Sequence, residues 1–322
     1  MIRGVEINLV AVVAAVTEEE PRVLVVGAGG EEALPADALD PDRDRTLELA
    51  VRTRVHAQAG LELGYVEQLY TFGNRFRDPR EREGGARRVS IAYLALVREA
   101  PVDARGGALW RSLYELFPWE DWRAGRPAVL DREIAPALEA WARQAPDRAE
   151  GRRRRERCDI AFGFSGAPWV GERVLDRYEV VYEAGLVEAA ARDAAAAGDE
   201  RSAVPPAARW LGRPMALDSR RILASALGRL RGKLRYRPVV FELLPRQFTL
   251  LRLQRTVEAL AGVPLHKQNF RRLVEAGGLV EGTGRLEARA VGRPAELFRF
   301  RREVLRERPA PGVGLPGLRV HG

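Results

Sequence analysis

The sequence predicts an α/β chain in which a layered sheet domain precedes a small domain of helices and one hairpin. Three observations support this prediction: β-branched runs near the N-terminus, an amphipathic segment between strand-like runs, and two short helical patterns near the C-terminus. The chain has 322 residues, of which 46% are hydrophobic and 30% charged. These values allow two domains and exclude global disorder and a collagen-like fibre.

The first hundred residues alternate strands with one helix. Residues 30–44 are acidic and contain two prolines, so they are predicted as a loop. Residues 45–59 carry apolar residues among polar ones and are followed by Gly60, which predicts a helix. Four β-branched or alternating runs predict strands: 5–16, 22–27, 65–72 and 88–97. The first two runs are predicted to form a hairpin.

The middle of the chain, at about 131–210, is predicted to be mainly helical, and the sequence does not indicate its role. Residues 131–144 and the alanine-rich stretch 184–197 have helical patterns. Between them, Arg152–Arg155 form a basic run flanked by acidic residues. Such a run is typical of a solvated face or a linker.

The last third predicts a winged helix-turn-helix. A helix is predicted at 217–231 and a strand at 238–244. Two further helices, Thr249–Ala261 and Lys267–Ala276, are joined by a short segment containing Gly and Pro. Two short strands follow, Leu279–Gly282 and Leu297–Phe300. Two helices with a tight connection and a hairpin after them form the layout of a winged helix.

Polar and basic residues occupy the start of the second of these helices. Asn and Gln pair with adenine in the major groove, and Arg or Lys pairs with guanine, so this helix is predicted to read DNA. Arg293, in the loop before the last strand, is predicted to contact a phosphate or the minor groove. The predicted DNA-binding residues are Lys267, Gln268, Asn269, Arg271, Arg272 and Arg293.

The distribution of charge agrees with this prediction. The formal net charge is +8. Residues 236–308 hold 15 Arg and Lys against 8 Asp and Glu, a net +7, and the rest of the chain holds 38 against 37, a net +1. A small helical cap with a basic surface is the alternative interpretation. In that case Arg271 would pair with Glu275 one turn away.

The cysteine and histidine content of the chain argues against disulfides and metal sites. Cys158 is the only cysteine, which excludes an intrachain disulfide and a cysteine-based zinc cluster, and the three histidines lie far apart. No metal and no resident cofactor are predicted. The apolar run Leu9–Val16 is too short to span a bilayer and lacks a basic flank, so a cytoplasmic location is expected.

Two blocks of sequence resemble known families. Residues 65–80 and 87–97 are similar to the central strands of the Nudix fold. Residues 216–284 and 292–300 resemble the Nudix-related transcriptional regulators of NAD metabolism. The resemblance implies a Nudix-like α/β/α sandwich with a helical insertion, followed by a winged helix-turn-helix domain. It also implies an ADP-ribose or related nucleotide as effector, a double-stranded DNA operator as partner, and a homodimer that represses genes of NAD biosynthesis or pentose use.

An active Nudix hydrolase holds Mg²⁺ with glutamates on one face of its box helix. Aligning that box on Gly60 places Thr53 at its arginine and Arg54 at the next glutamate. Ala57 and Gln58 then replace the paired glutamates, and Glu48 alone is not enough for a Mg²⁺ site. The box is therefore predicted to be inactive. A divergent ADP-ribose pyrophosphatase is the alternative function.

The resemblance also places a nucleotide sensor on the central strands. Aromatic, polar and basic side chains there are candidates for stacking a base and holding phosphates. The predicted ligand-binding residues are Glu67, Gln68, Tyr70, Phe72, Arg77 and Arg88. The expected domains are a sensor at 1–235 that includes the insertion, a winged helix at 236–308, and a tail at 309–322.

Overall fold

A mixed sheet forms the first third of the chain. The computed structural model describes residues 4–74, 81, 84–195, 211–287, 294–313 and 319–320. The sheet order is β3-β2-β1-β6-β5, with β4 paired to β1 and β7 to β2. Its strands are β1 (Val5–Thr17), β2 (Glu20–Ala28), β3 (Glu31–Ala33), β4 (Ala36–Ala38), β5 (Tyr65–Phe72), β6 (Arg87–Leu96) and β7 (Leu109–Ser112). The predicted N-terminal hairpin and the strands at 65–72 and 88–97 are confirmed.

The segment predicted as a loop at 30–44 is partly strand. Its residues at 31–33 pair with β2, and those at 36–38 pair with β1. This prediction was wrong because Pro35 lies between the two paired runs and Pro41 lies beyond the second. Neither proline therefore removes an amide from the residues that pair with β1 and β2.

Helix α1 (Leu47–Ala59) covers one face of the sheet. It begins at the N-cap Thr46, whose side chain accepts a hydrogen bond from the Leu49 amide, and it ends at Gly60 in the left-handed region at φ +69°. Ala50, Val51 and Val55 pack its inner side against β1 and β6. The helix predicted at 45–59 is confirmed.

The other face is covered by helices from the insertion and by the C-terminal half of the chain. A short helix α2 (Leu113–Leu116) follows β7, and a five-residue π-helical segment, Leu130–Ile134, leads into α3 (Ala135–Arg143). The remaining insertion elements are α4 (Arg148–Phe162), β8 (Trp169–Val170), α5 (Val174–Glu183) and α6 (Glu188–Ala195). The run Arg152–Arg155 lies on the solvated side of α4 and not in a linker.

The C-terminal part starts with the long helix α7 (Ser219–Tyr236), which packs between β5, α5 and α8 (Leu250–Ala261). Helix α9 (Lys267–Ala276) and the hairpin of β9 (Val280–Glu287) and β10 (Ala295–Phe300) complete a winged helix. A short helix α10 (Val304–Glu307) follows, and β11 (Arg319–Val320) pairs with β8. The predicted helices and hairpin are confirmed here.

The strand predicted at 238–244 is wrong. Val239–Leu243 form a 3₁₀ helix after Pro238. Val239, Val240 and Leu243 are the buried residues, and this spacing matches a helical turn and not the alternation of a strand. None of the helices in the described residues is long and apolar enough to cross a membrane.

Candidate functional site

Helix α9 presents a row of polar side chains to solvent. Phe270 and Val274 are buried against the rest of the winged helix, which fixes the face that points outward. No ion pair joins Arg271 to Glu275, in contrast to the alternative interpretation from the sequence. Five exposed residues make no side-chain hydrogen bond or ion pair with any residue that the structure describes: Lys267, Gln268, Asn269, Arg271 and Arg272. Their donors and acceptors are available to a partner.

Two buried side chains on α8 fix the turn that leads into α9. Gln254 Nε2 donates hydrogen bonds to the Leu265 carbonyl oxygen and to Glu258 Oε1, both at 2.9 Å. The Leu265 amide in turn donates to Glu258 Oε1 at 2.8 Å. The orientation of α9 relative to α8 is therefore set by a closed hydrogen-bond network. Sequence reasoning missed these two residues, since a Gln and a Glu one turn apart look like a solvated helix face.

Further basic residues lie on other parts of the winged helix. Arg246 and Arg252 are exposed beside the start of α8, and Arg285 is exposed on β9. Arg299 on β10 pairs with Glu281 at 2.6 Å. Arg293, predicted to contact DNA, lies outside the described residues. The winged helix thus carries exposed cations beyond those predicted, before α8, in the first turn of α8 and on β9.

A cavity of about 480 Å³ lies where β1, the 33–38 segment and the start of α7 meet. Its apolar wall includes Val10, Val26, Leu34, Phe72 and Ile222. Its polar side chains are Glu6, Asn8, Asp37, Gln58, Asn74, Glu81, Arg88, Ser90, Asp218 and Ser219. A planar apolar group and several hydroxyl or amino groups fit this lining.

The cavity is more acidic than basic. Among its described lining residues, Arg88 is the only cation, against four carboxylates. Arg88 pairs with Glu6 at 2.6 Å, and its backbone amide donates to Glu81 Oε1 at 2.9 Å. Gln58 Nε2 donates to the Ala36 carbonyl oxygen at 3.0 Å, whereas its buried Oε1 accepts no hydrogen bond from the described residues. Carboxylate and amide oxygens suit a ligand rich in hydroxyl donors.

Arg54 on α1, which the sequence aligns with a glutamate of the Nudix box, contacts the segment that precedes the helix. Arg54 donates to Asp44, with the closest ion-pair distance 2.6 Å, and also to the Ala38 carbonyl oxygen. The hydrogen bond from Arg54 lowers the pKa of Asp44, so this carboxyl stays charged. These contacts tie the 36–44 segment to the helix. In that alignment a guanidinium stands at the position of a Mg²⁺ ligand, so the side chains present there do not fit the ion.

Replacing Arg54 with Ala is expected to release the 36–44 segment from α1, because the ion pair and the contact with the Ala38 carbonyl disappear together. Amide hydrogen exchange should show faster exchange at residues 38–44. Arg43→Ala is the control, since that side chain is 89% exposed. Equal exchange in the two variants would contradict the role assigned to Arg54.

The predicted sensor residues are only partly brought together. Phe72 and Arg88 line the cavity. Gln68 and Tyr70 are exposed on β5 and do not line it. Glu67 contacts Lys233 on α7 and accepts a hydrogen bond from Tyr65 Oη at 2.6 Å. Arg77 lies outside the described residues. The cavity also uses residues from β1 and α7 that sequence reasoning missed, because the fold alone makes them neighbours.

Comparison with known proteins agrees with this architecture. Residues 240–300 match the model of the NrtR DNA-binding winged helix domain. The ADPR responsive transcriptional repressor NtrR of Acinetobacter baylyi is 40% identical over 86 residues, which are 27% of this chain. The matched segment is 34% of that repressor, so the similarity spans about a third of its length.

Solved structures extend the likeness to the whole fold. Shewanella oneidensis NrtR in complex with a 27mer DNA has a TM-score of 0.55 and 20% identity, and the match covers 92% of this chain and 94% of that one. A MutT/nudix family protein from Enterococcus faecalis has a TM-score of 0.52 and 15% identity over 94% of this chain and 88% of its own. The chain therefore has the fold of NrtR, a Nudix-like domain followed by a winged helix, and its residues 240–300 match the NrtR winged helix domain.

Proposed function

We propose that the protein is a transcriptional regulator that binds an operator through its winged helix and senses an ADP-ribose-type nucleotide through its Nudix-like domain. The observation that carries the proposal is the outer face of α9, where five polar and basic side chains have no partner among the described residues. The matched winged helix model and the similar repressor of Acinetobacter baylyi support the same function.

In this proposal α9 is the recognition helix. Asn269 and Gln268 are suited to adenine, and Arg271, Arg272 and Lys267 to guanine or to phosphates. Arg246 and Arg252 add phosphate contacts at the start of α8, and Arg293 adds one from the wing. A net charge of +7 on residues 236–308 favours association with a polyanion.

The effector is proposed to bind in the cavity. Phe72 and the aliphatic wall suit a base, and the carboxylates and Gln58 Oε1 suit ribose hydroxyls or an amino group. Arg88 is the candidate for a phosphate contact. Of the six residues proposed from the sequence, Phe72 and Arg88 have the strongest support because they line the cavity. The similar Acinetobacter repressor is named as ADPR responsive, which favours ADP-ribose as the first ligand to try.

Filling the cavity should abolish effector binding. Ser90 lines the cavity from β6 opposite Phe72, so Ser90→Trp places an indole in the proposed ligand volume. Isothermal titration calorimetry is expected to show at least about a hundredfold weaker ADP-ribose binding, since a rigid ring leaves no room for the ligand. Thr71→Trp is the control, because Thr71 is exposed and pairs with Ile91, which packs with the α1 side of the sheet. Unchanged affinity in Ser90→Trp would place the ligand elsewhere.

We propose that the chain is not a hydrolase. Arg54, Ala57 and Gln58 occupy box positions that need metal-binding carboxylates, and Thr53 replaces the arginine of the box. A divergent ADP-ribose pyrophosphatase is the second candidate, favoured by the Nudix-like fold. Release of AMP from ADP-ribose in the presence of Mg²⁺ distinguishes the two. Robust turnover would overturn the regulator as the primary function.

We also propose a cytoplasmic homodimer that acts on genes of NAD metabolism, with domains at 1–235 and 236–308 and a tail at 309–322. Dimers of helix-turn-helix proteins match operators with two half-sites, which supports the assembly. Sedimentation of the full chain with and without a selected operator tests it. A monomer on a single half-site would contradict it.

The most direct test of the whole proposal is a selection of genomic fragments by the full-length protein at stated salt, with and without ADP-ribose. The expected result is enrichment of a few fragments that share a sequence, with an occupancy that ADP-ribose changes. Salt-independent or sequence-independent retention would overturn it.

A further inference from the structure

One end of α7 forms part of the cavity wall. Leu217 and Asp218 precede the helix, Ser219 and Ile222 belong to its first turn, and all four line the cavity. Ser219 Oγ accepts a hydrogen bond from the Leu34 amide at 3.2 Å, which joins the helix to the connection between β3 and β4 in the same cavity wall. A ligand in the cavity therefore contacts α7 directly.

The other end of α7 holds the winged helix. Arg231 is fully buried, and its Nε donates a hydrogen bond to the Leu260 carbonyl oxygen at 3.1 Å, in the last turn of α8. Twelve residues separate Ser219 from Arg231, which is about 18 Å along a helix. One continuous helix thus spans from the cavity to α8.

The body of the protein caps the same end of α8. Tyr114 Oη donates to the Ala259 carbonyl oxygen at 2.6 Å, and the Trp122 amide donates to the Gly262 carbonyl oxygen at 2.6 Å. Burial raises the pKa of Tyr114 to about 12, so its hydroxyl remains a donor. Carbonyl groups at a helix end lack donors within the helix. Here three donors from outside the winged helix bond to them: Tyr114 Oη, the Trp122 amide and Arg231 Nε.

A buried charge cluster makes this connection rigid. Glu120 lies between Arg177 of α5 and Arg231 of α7, and all three side chains are fully buried. Arg177 Nε donates to Glu120 Oε1 at 2.6 Å, and both guanidinium groups also bond to the Gly171 carbonyl oxygen. Close packing around such a network favours movement as a unit over local bending.

We propose that α7 transmits the state of the cavity to the recognition helix, with the contacts of Arg231, Tyr114 and Trp122 on the end of α8 as the connection. Displacement of α7 by a ligand moves the end of α8, and α9 follows because Gln254 and Glu258 hold the turn between them. This rests on the proposed function. It adds that regulation passes through the described contacts within one subunit.

Tyr114→Phe is the principal test, since it removes one hydroxyl and the bond to Ala259. Operator affinity is measured with and without ADP-ribose, and the ratio gives the coupling factor. In wild type this factor is expected to be about fivefold or more. In Tyr114→Phe we expect it to fall to less than half of that value, while ADP-ribose affinity without DNA stays within about twofold.

A second variant tests the same contact by adding a methyl group at the end of α8. A Cβ at position 262, where φ is +74°, would meet the Glu120 carbonyl oxygen and lie 2.9 Å from Tyr114 Oη. Gly262→Ala should therefore push α8 from the body and also reduce the coupling factor. Gly60→Ala is the matched control, because Gly60 also ends a helix at φ +69° but a Cβ there meets only Asp103 Cβ at 3.8 Å.

Hydrogen exchange separates the inference from the proposed function. On addition of ADP-ribose, wild type should change exchange at both 217–222 and 258–262, whereas Tyr114→Phe should keep the first response and lose the second. A coupling factor that is unchanged in both variants would overturn the inference and leave the regulator intact. Failure of wild type to bind ADP-ribose or a selected operator would overturn the proposed function itself.

Discussion

Replacing Glu120 with Ala is expected to lower the free energy of unfolding by about 3–5 kcal/mol, because two buried guanidinium groups would then lack their carboxylate. Arg177 and Arg231 are fully buried, so water does not replace the lost partner. Urea unfolding followed by circular dichroism measures the change. Glu139→Ala is the control, since Glu139 pairs with Arg155 on the surface and such pairs contribute about 0–1 kcal/mol. Similar losses in both variants would contradict this account of the cluster.

The stability that Glu120 contributes is also expected to depend on pH. Burial alone would raise the pKa of Glu120, but Arg177 and Arg231 outweigh this effect and lower it from 4.5. A carboxyl whose pKa is lower in the folded state contributes stability above its unfolded pKa and loses it as pH falls through the folded value. The difference in stability between wild type and Glu120→Ala should therefore shrink below about pH 4.5. A constant difference down to acid pH would argue against the pairing.

Replacing Arg272 or Asn269 with Ala is expected to cost about 1–3 kcal/mol of operator affinity, with the loss confined to one base-pair position. Both side chains are exposed on α9 and have no partner among the described residues, so the whole effect belongs to contact with DNA. Binding to a series of operators with single substitutions measures it. Arg293→Ala should instead weaken all sequences similarly, as expected for a phosphate contact.

The control for charge alone is Arg148→Ala at the start of α4, an exposed arginine outside the winged helix. It should change operator affinity by less than about twofold. If Arg272→Ala and Asn269→Ala give the same footprint and the same sequence preference as wild type, α9 is not the recognition helix.

Much of the fold was predictable because local patterns determine it. The β-branched runs at 5–16 and 22–27 and the capped helix before Gly60 carry their signals in consecutive residues. The same is true of α8 and α9, whose apolar spacing and short Gly- and Pro-containing connection predict the helix-turn-helix. The face of α9 that meets solvent follows from Phe270 and Val274 alone.

The remaining features depend on distant parts of the chain. Glu120 meets Arg177 and Arg231 at separations of 57 and 111 residues, and no local pattern predicts such a buried cluster. The contribution of α7 to the cavity wall likewise arises from the packing of distant segments, so it could not be predicted from local sequence. The run 238–244 looks like a strand in sequence because it is rich in Val and Leu. After Pro238, however, its residues form a 3₁₀ helix that buries apolar side chains at helical spacing. Local propensity gives way to tertiary contacts at these positions.

The capping of α8 by Tyr114, Trp122 and Arg231 bears on how this winged helix can be used in protein engineering. A fragment starting at residue 236 would leave the carbonyl oxygens of Ala259, Leu260 and Gly262 without these donors. It would also expose the apolar side of α8 that packs on β1 and β2. A winged helix fragment cut from this chain therefore needs α7 and the 114–122 segment with it. A chimera that omits them would lack the contacts that join α8 to the Nudix-like domain.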